Sequence, residues 1–298
     1  MKARVILATM VIMATMISGL AVAGGQREAA GEREIDSLVL GMVPSREVSR
    51  MIESIDPLTQ LLEAELGIPV QGTVLTSFTG VIEAMGTGRV DIGIFGPFAL
   101  VLGEQQHDLQ IILNSLRRGS DHYRAQFVVR QDAGINEISD LRGRTMAFVD
   151  PASASGFLFP YVFLLNNGID PDTDLADYIF AGAHDAAVSA VMSGDVDVAV
   201  SFEDAREDLL VEFPTIMEET MILTYTDEIP NDGVAVRPGI PAELREAIAE
   251  AFITIGNTSE GQQLLSTLYN VTGYIRADSE RYAVVRQTFE VMEEYIDF

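Results

Sequence analysis

The chain has 298 residues, 48% hydrophobic and 21% charged, with a formal net charge of −26. That length supports one large or two medium cores, and so acidic a surface, with Lys2 as its single lysine, excludes nucleic acid and anionic lipid as partners. The absence of cysteine excludes disulfides, thiolate metal sites, Cys nucleophiles and a lipid-bearing N-terminal Cys. Lys2 and Arg4 precede an apolar run, Val5–Leu20, and then the small-residue site Ala21-Val22-Ala23. This is the pattern of a secretory signal peptide over 1–23, cleaved near Ala23, and the run is short for a membrane span. The exported chain then carries a charge near −28, so any anion site must be built locally from N–H groups, hydroxyls and one or two cations. Residues 24–35 read as a flexible leader.

Leu38–Val43 reads as a strand, Pro57–Leu66 as a helix stopped by Gly67, and Val70–Thr76 as a second strand. Thr79–Gly88 is a short helix, and Val90–Phe95 a strand ending at Gly96-Pro97. Alternation of this kind predicts a mostly parallel sheet. The pattern then repeats. Arg124–Arg130 and Thr145–Val149 are strands, Ser155–Asn166 and Ala186–Met192 helices, and Val196–Val200 a strand after Gly194. Ile222–Tyr225 and Val234–Val236 are short strands, and Pro241–Thr254, Glu260–Tyr269 and Glu280–Tyr295 are C-terminal helices. "GTGRVDIGIFG" and "MSGDVDVAVSF" share one design: helix end, glycine, short strand, loop. This predicts two α/β lobes, one from 36–122 plus 227–298 and the other from 123–226. The chain crosses between them near Asp121–Arg124 and returns near Thr224–Asp227. Ligands of such folds sit between the lobes, at the carboxyl ends of the strands.

The strongest local signal is Asp150-Pro151-Ala152-Ser153-Ala154-Ser155-Gly156, directly after a strand and before a helix. Ser153 or Ser155 is a good N-cap, and small residues let an oxyanion approach the N–H groups of the first turn. On physical grounds alone, a plain helix cap and an anion site are equally good readings of this run. It is no P-loop, since no Gly-Lys pair follows.

The segment "FVDPASASGFLFP" resembles the "DPxSTSGxLxP" signature of the PhnD-type phosphate-, phosphite- and phosphonate-binding proteins of ABC importers. "GAHDAAVSAVMSGDVDVAVSFEDAR", "YTDEIPNDGVAVRPGIP" and "IEAMGTGRVDIGIFGPFALVLG" are similar to three further segments of that family. The likeness runs over roughly Leu38–Phe289. It implies the type II periplasmic binding protein fold, with two α/β lobes, a cleft between them and a two-segment hinge. It implies an exported, monomeric solute-binding protein that hands a small oxyanion to an ABC permease, with no cofactor and no metal.

By the same resemblance, Ser153 and Ser155 donate hydroxyls to the anion, and Ala154 keeps its N–H where many relatives have Thr. Tyr123 matches a crossover tyrosine that donates to the anion, and His184 a histidine that faces it. Glu203 and Asp232 match acids that meet the ligand's other end, such as an amine. Two positions depart from the pattern: Phe78 and Leu100 stand where relatives have tyrosines. Losing two phenols weakens the hold on a doubly charged anion and leaves the exact ligand open. The resemblance expects Glu203, Asp232, Phe78 and Leu100 to form the far wall.

Other functions have less support. Of the three histidines only His184 lies in a motif, and no H-E-x-x-H, G-x-S-x-G or Gly-rich dinucleotide loop is present, so the protein is expected not to be an enzyme. The acids are scattered, without calcium-loop spacing. The alternative is a periplasmic sensor that presents a different small ligand, an amine or carboxylate, to a signalling receptor.

Overall fold

The computed structural model describes residues 35–43, 48–203 and 205–293. The expected signal peptide and all but the last residue of the leader lie outside the described residues. The chain opens with β1 (Leu38–Met42), α1 (Val48–Leu66), β2 (Val70–Val74), α2 (Phe78–Gly86), β3 (Ile92–Phe95), α3 (Pro97–His107) and β4 (Gln110–Leu116). It continues through β5 (His122–Arg130), β6 (Thr145–Phe148), α4 (Phe159–Asn166), α5 (Pro171–Asp174), β7 (Asp177–Phe180), α6 (His184–Ser193), β8 (Val198–Phe202), α7 (Ile216–Glu219) and β9 (Thr220–Pro230). It finishes with β10 (Gly233–Val236), α8 (Ala242–Gly256), α9 (Ser259–Tyr269), β11 (Gly273–Arg276) and α10 (Ala283–Met292).

These strands form two sheets. One runs β11-β4-β10-β3-β1-β2 and the other β7-β6-β8-β5-β9. Both are mixed. β1 pairs in parallel with β2 and β3, and β6 with β7 and β8, while β10 and β5 run antiparallel to their neighbours. The central strands β3 and β8 are buried at every position, as expected for strands covered on both faces.

Local boundaries follow packing. The helix expected from Pro57 begins at Val48, and Pro57 lies inside it. Ile55, Leu58 and Leu62 are all buried, so the apolar stripe continues through the proline and compensates for the missing N–H. Gly67, at φ 71°, ends this helix as expected. α3, β4, β7 and β11 were not legible as elements. α3 is capped by Gly96 and begins at Pro97, a helix start hidden behind a turn signal. β7 is an edge strand with exposed Ile179 and Phe180, and so lacks the apolar alternation of a half-buried strand.

Two chain segments link the sheets. Residues 117–121 leave the first sheet after β4, and Asn231-Asp232 return to it before β10. They run side by side. Asn231 N–H donates to the Asp121 carbonyl at 2.9 Å, and Asn231 Nδ2 donates to the Ser120 carbonyl at 2.8 Å. β9 stays in the second sheet to Pro230, past the expected return at Thr224–Asp227, because Tyr123 continues to pair with Ile229 and His122 with Pro230. α10 packs against both α3 and α4, with Phe289 and Phe98 rings 5.0 Å apart. No helix among the described residues is long and apolar enough to cross a membrane.

Candidate anion site

The loop after β6 is tied down from several directions. The Asp150 carboxylate accepts from Ala152 N–H at 2.8 Å, and Val149 N–H donates to the Gly156 carbonyl at 2.9 Å. The Asp150 carboxylate also receives the backbone N–H of Phe78, the first residue of α2 on the other sheet. Burial raises the Asp150 carboxyl above the usual carboxylate range, and these two N–H groups offset part of the rise.

The expected α-helix after this loop starts as one π-helical turn, Ala154–Leu158, before α4 begins. Leu158 N–H reaches back to the Ser153 carbonyl at 3.0 Å, five residues away. Ser153 is the N-cap, and its Oγ accepts from Gly156 N–H at 3.0 Å. That leaves the Ser153 hydroxyl proton available to donate. A Cβ on Gly156 would lie 2.4 Å from Val149 Cβ, so only glycine allows this close fold of loop on strand. Ser153 and Ser155 are each 2% exposed. The first N–H groups of the turn have no partner in a preceding turn and aim out of its start.

These residues open on a small cavity of about 30 Å³. Val43, Phe78, Gly96 and Asp232 line it from the first sheet's side, and Ser153, Ala154, Ser155, His184, Phe202 and Tyr123 from the second. Arg117, on the crossover, lines it too. The structure thus gathers the expected Ser153, Ala154, Ser155, Tyr123, His184, Asp232 and Phe78 around one space.

Each side chain is held by its element. Tyr123 sits early in β5, and burial pushes its phenol far above its ordinary range. Asp232 adds to that rise, while a hydrogen bond with Ser155 and the charge of Arg117 only partly offset it. Tyr123 is therefore a neutral hydroxyl at physiological pH. His184 begins α6 and is 5% exposed. Its Nδ1 lies 2.9 Å from Ser201 Oγ, and its ring meets Phe202 edge-on at 4.8 Å. Phe78 starts α2, where the Ser77 hydroxyl caps Gly80 N–H, and its ring is buried against the cavity.

Two expected wall residues are placed elsewhere. Glu203 follows β8 and pairs with Arg124, Nη2 to Oε2, at 3.1 Å. It lines a neighbouring cavity of about 380 Å³ with Arg118, His122 and Glu228, and Arg117 and Tyr123 border both cavities. Leu100 is fully buried in α3, where a Cβ added to Gly233 would come within 2.9 Å of its Cδ1. It fills the core behind the first sheet. The residue that sequence reasoning missed is Arg117, whose guanidinium lies 4.8 Å from the Phe202 ring and 5.7 Å from the Tyr123 ring. Its only signal was the Arg-Arg-Gly-Ser run, which is unreadable as a turn until β4 is known to precede it. No group of three or more His, Cys, Asp or Glu that could hold a metal ion occurs among the described residues.

The sequence model of the family described as "ABC transporter, phosphonate, periplasmic substrate-binding protein" matches residues 40–282. The chain belongs to this family. It is 32% identical over 198 residues to the phosphate-import protein PhnD of Mycolicibacterium smegmatis, a match covering 63% of this chain and 58% of that protein. It is 26% identical over 239 residues to the phosphonates-binding periplasmic protein of Escherichia coli, covering 78% and 70% of the two chains. Among solved structures, PhnD1 of Prochlorococcus marinus in complex with methylphosphonate superposes with a TM-score of 0.78 at 18% identity. That match covers 87% of this chain and 99% of the other. The two sheets and their paired crossover are the type II periplasmic binding protein fold.

Proposed function

We propose that this protein is the extracytoplasmic solute-binding component of an ABC importer, and that it captures a phosphorus oxyanion, namely phosphate, phosphite or a small phosphonate, between its two lobes. The observation that carries this reading is the cavity itself. Two serine hydroxyls, the start of a helix, a neutral tyrosine, a histidine and an arginine converge on about 30 Å³ in a chain of net charge −26. Hydroxyls and backbone N–H groups suit an oxyanion's several acceptor oxygens, and they solve the charge problem locally. The named relatives bind phosphate or phosphonates, in keeping with this chemistry.

The mechanism follows from the two walls. The anion lands on the 153–155 loop and Tyr123 of the lobe built on the second sheet. The other lobe, built on the first sheet, then closes about the paired crossover, bringing Phe78 and Asp232 over it. The Asp150 carboxylate on the Phe78 N–H fastens the closed form. The permease reads the closed shape, and the protein, a monomer exported by its signal peptide, binds the anion without chemical change.

The test is a thermal-shift and calorimetry screen of phosphate, phosphite, methylphosphonate, 2-aminoethylphosphonate and sulfate. A bound ligand raises the midpoint by mass action. At least one phosphorus oxyanion is expected to do so. Silence from all of them, with a response to an amine or carboxylate, would overturn the reading.

A further inference from the structure

Of the two acids that the resemblance places at a ligand's amine end, Asp232 lines the cavity and Glu203 does not, and Arg117 lines the same space. Glu203 pairs with Arg124 and lines the neighbouring larger cavity, while Arg117 borders both that cavity and the small one. No carboxylate pairs with the Arg117 guanidinium among the described residues. Its neighbours in the site are the rings of Phe202 and Tyr123.

Arg117 is also held in place. Its N–H and carbonyl both bond to Ser120, at 2.9 Å each, closing a tight two-residue turn. Arg118 and Gly119 occupy that turn at φ 51° and 81°. Positive φ at both central residues is the twist that antiparallel partners require, so the turn is rigid and its direction set. It lies on the crossover itself, beside Asn231, and therefore presents the same cation to the cavity as the lobes move. A planar guanidinium braced on aromatic rings offers a fork of donors to oxygens.

We infer that Arg117 is the ligand-selecting residue of this site: it binds the oxyanion and excludes phosphonates that carry an ammonium group. The inference rests on the phosphorus-oxyanion reading and narrows it to phosphate, phosphite and alkylphosphonates. An ammonium group brought into so small a space would lie beside a guanidinium that pairs with no carboxylate among the described residues, with Asp232 as the cavity's one carboxylate among its described lining residues. Methylphosphonate and 2-aminoethylphosphonate share the same phosphonate oxygens. Their affinity ratio therefore isolates the far end of the ligand.

The experiment titrates both ligands calorimetrically into the wild-type chain, Arg117→Gln and Arg117→Lys, with thermal midpoints as a folding control. Wild type is expected to prefer methylphosphonate by at least about tenfold. Arg117→Gln should weaken methylphosphonate by about tenfold or more and bring the ratio toward one, as removing a charged hydrogen-bonding partner implies. Arg117→Lys should weaken binding but keep most of the preference, because the charge remains and the fork does not. Methylphosphonate binding with no preference in wild type, or a ratio unchanged in Arg117→Gln, overturns the role of Arg117 and leaves the anion site standing. If no phosphorus oxyanion binds wild type, the site reading and this inference fall together.

Discussion

The two walls of the cavity are unlike. The wall from the second sheet is mostly polar: hydroxyls and backbone N–H groups on the loop after β6, an imidazole at the start of α6 and the Tyr123 phenol on β5, with Phe202 of β8 as its large apolar member. The wall from the first sheet is Val43, Phe78 and Gly96, with Asp232 as its charged member. The difference teaches a division of labour. In the proposed function, one lobe supplies the directional bonds that recognise an oxyanion. The other excludes water and strengthens those bonds by lowering the local dielectric.

The largest expected effect comes from erasing the polar wall. Ser153→Ala combined with Ser155→Ala should weaken phosphorus-oxyanion binding about tenfold or more by calorimetry, since two hydroxyl donors to a charged group are lost. Ser153 also caps Gly156 N–H, so this variant should lose about 1 kcal/mol of stability as well, seen as a lower thermal midpoint. Unchanged affinity would mean that the serines serve only the fold. A smaller effect is expected from making the apolar wall polar. Phe78→Tyr places a phenol at the start of α2, beside the cavity, and should tighten binding by up to about tenfold, as one added hydrogen bond to an anion implies. A loss of affinity would show instead that the cavity has no room for the hydroxyl. The smallest effect should come from outside both walls. Glu203→Gln breaks a half-exposed pair with Arg124 and should leave affinity within about twofold, while costing under about 1 kcal/mol of stability. A large loss of affinity would place Glu203 in the site after all.

Much of the cavity was legible because its polar wall is contiguous. Ser153, Ala154 and Ser155 are consecutive, and a small hydroxyl run between a strand and a helix declares a cap and a backbone within reach of a ligand. Gly67 and Gly194 marked helix ends for an equally local reason, since each needs positive φ. Phe78 was flagged only by its departure from the resemblance. Nothing in its neighbourhood alone shows that the start of α2 faces the 150–155 loop.

The amino-acid order by itself determined the alternation of strands and helices, the capped loop at 150–156 and the acidity that forces any anion site to be built locally, because these depend on spacing, propensity and charge within short stretches. The tertiary structure alone decided the rest. It turned Glu203 onto Arg124, sank Leu100 into the core, ran β9 on to Pro230 and delivered Arg117 to the cavity from a tight turn on the crossover. Each of those outcomes is a competition between partners far apart in the chain, and such a competition is settled only when the sheets pair and the lobes meet.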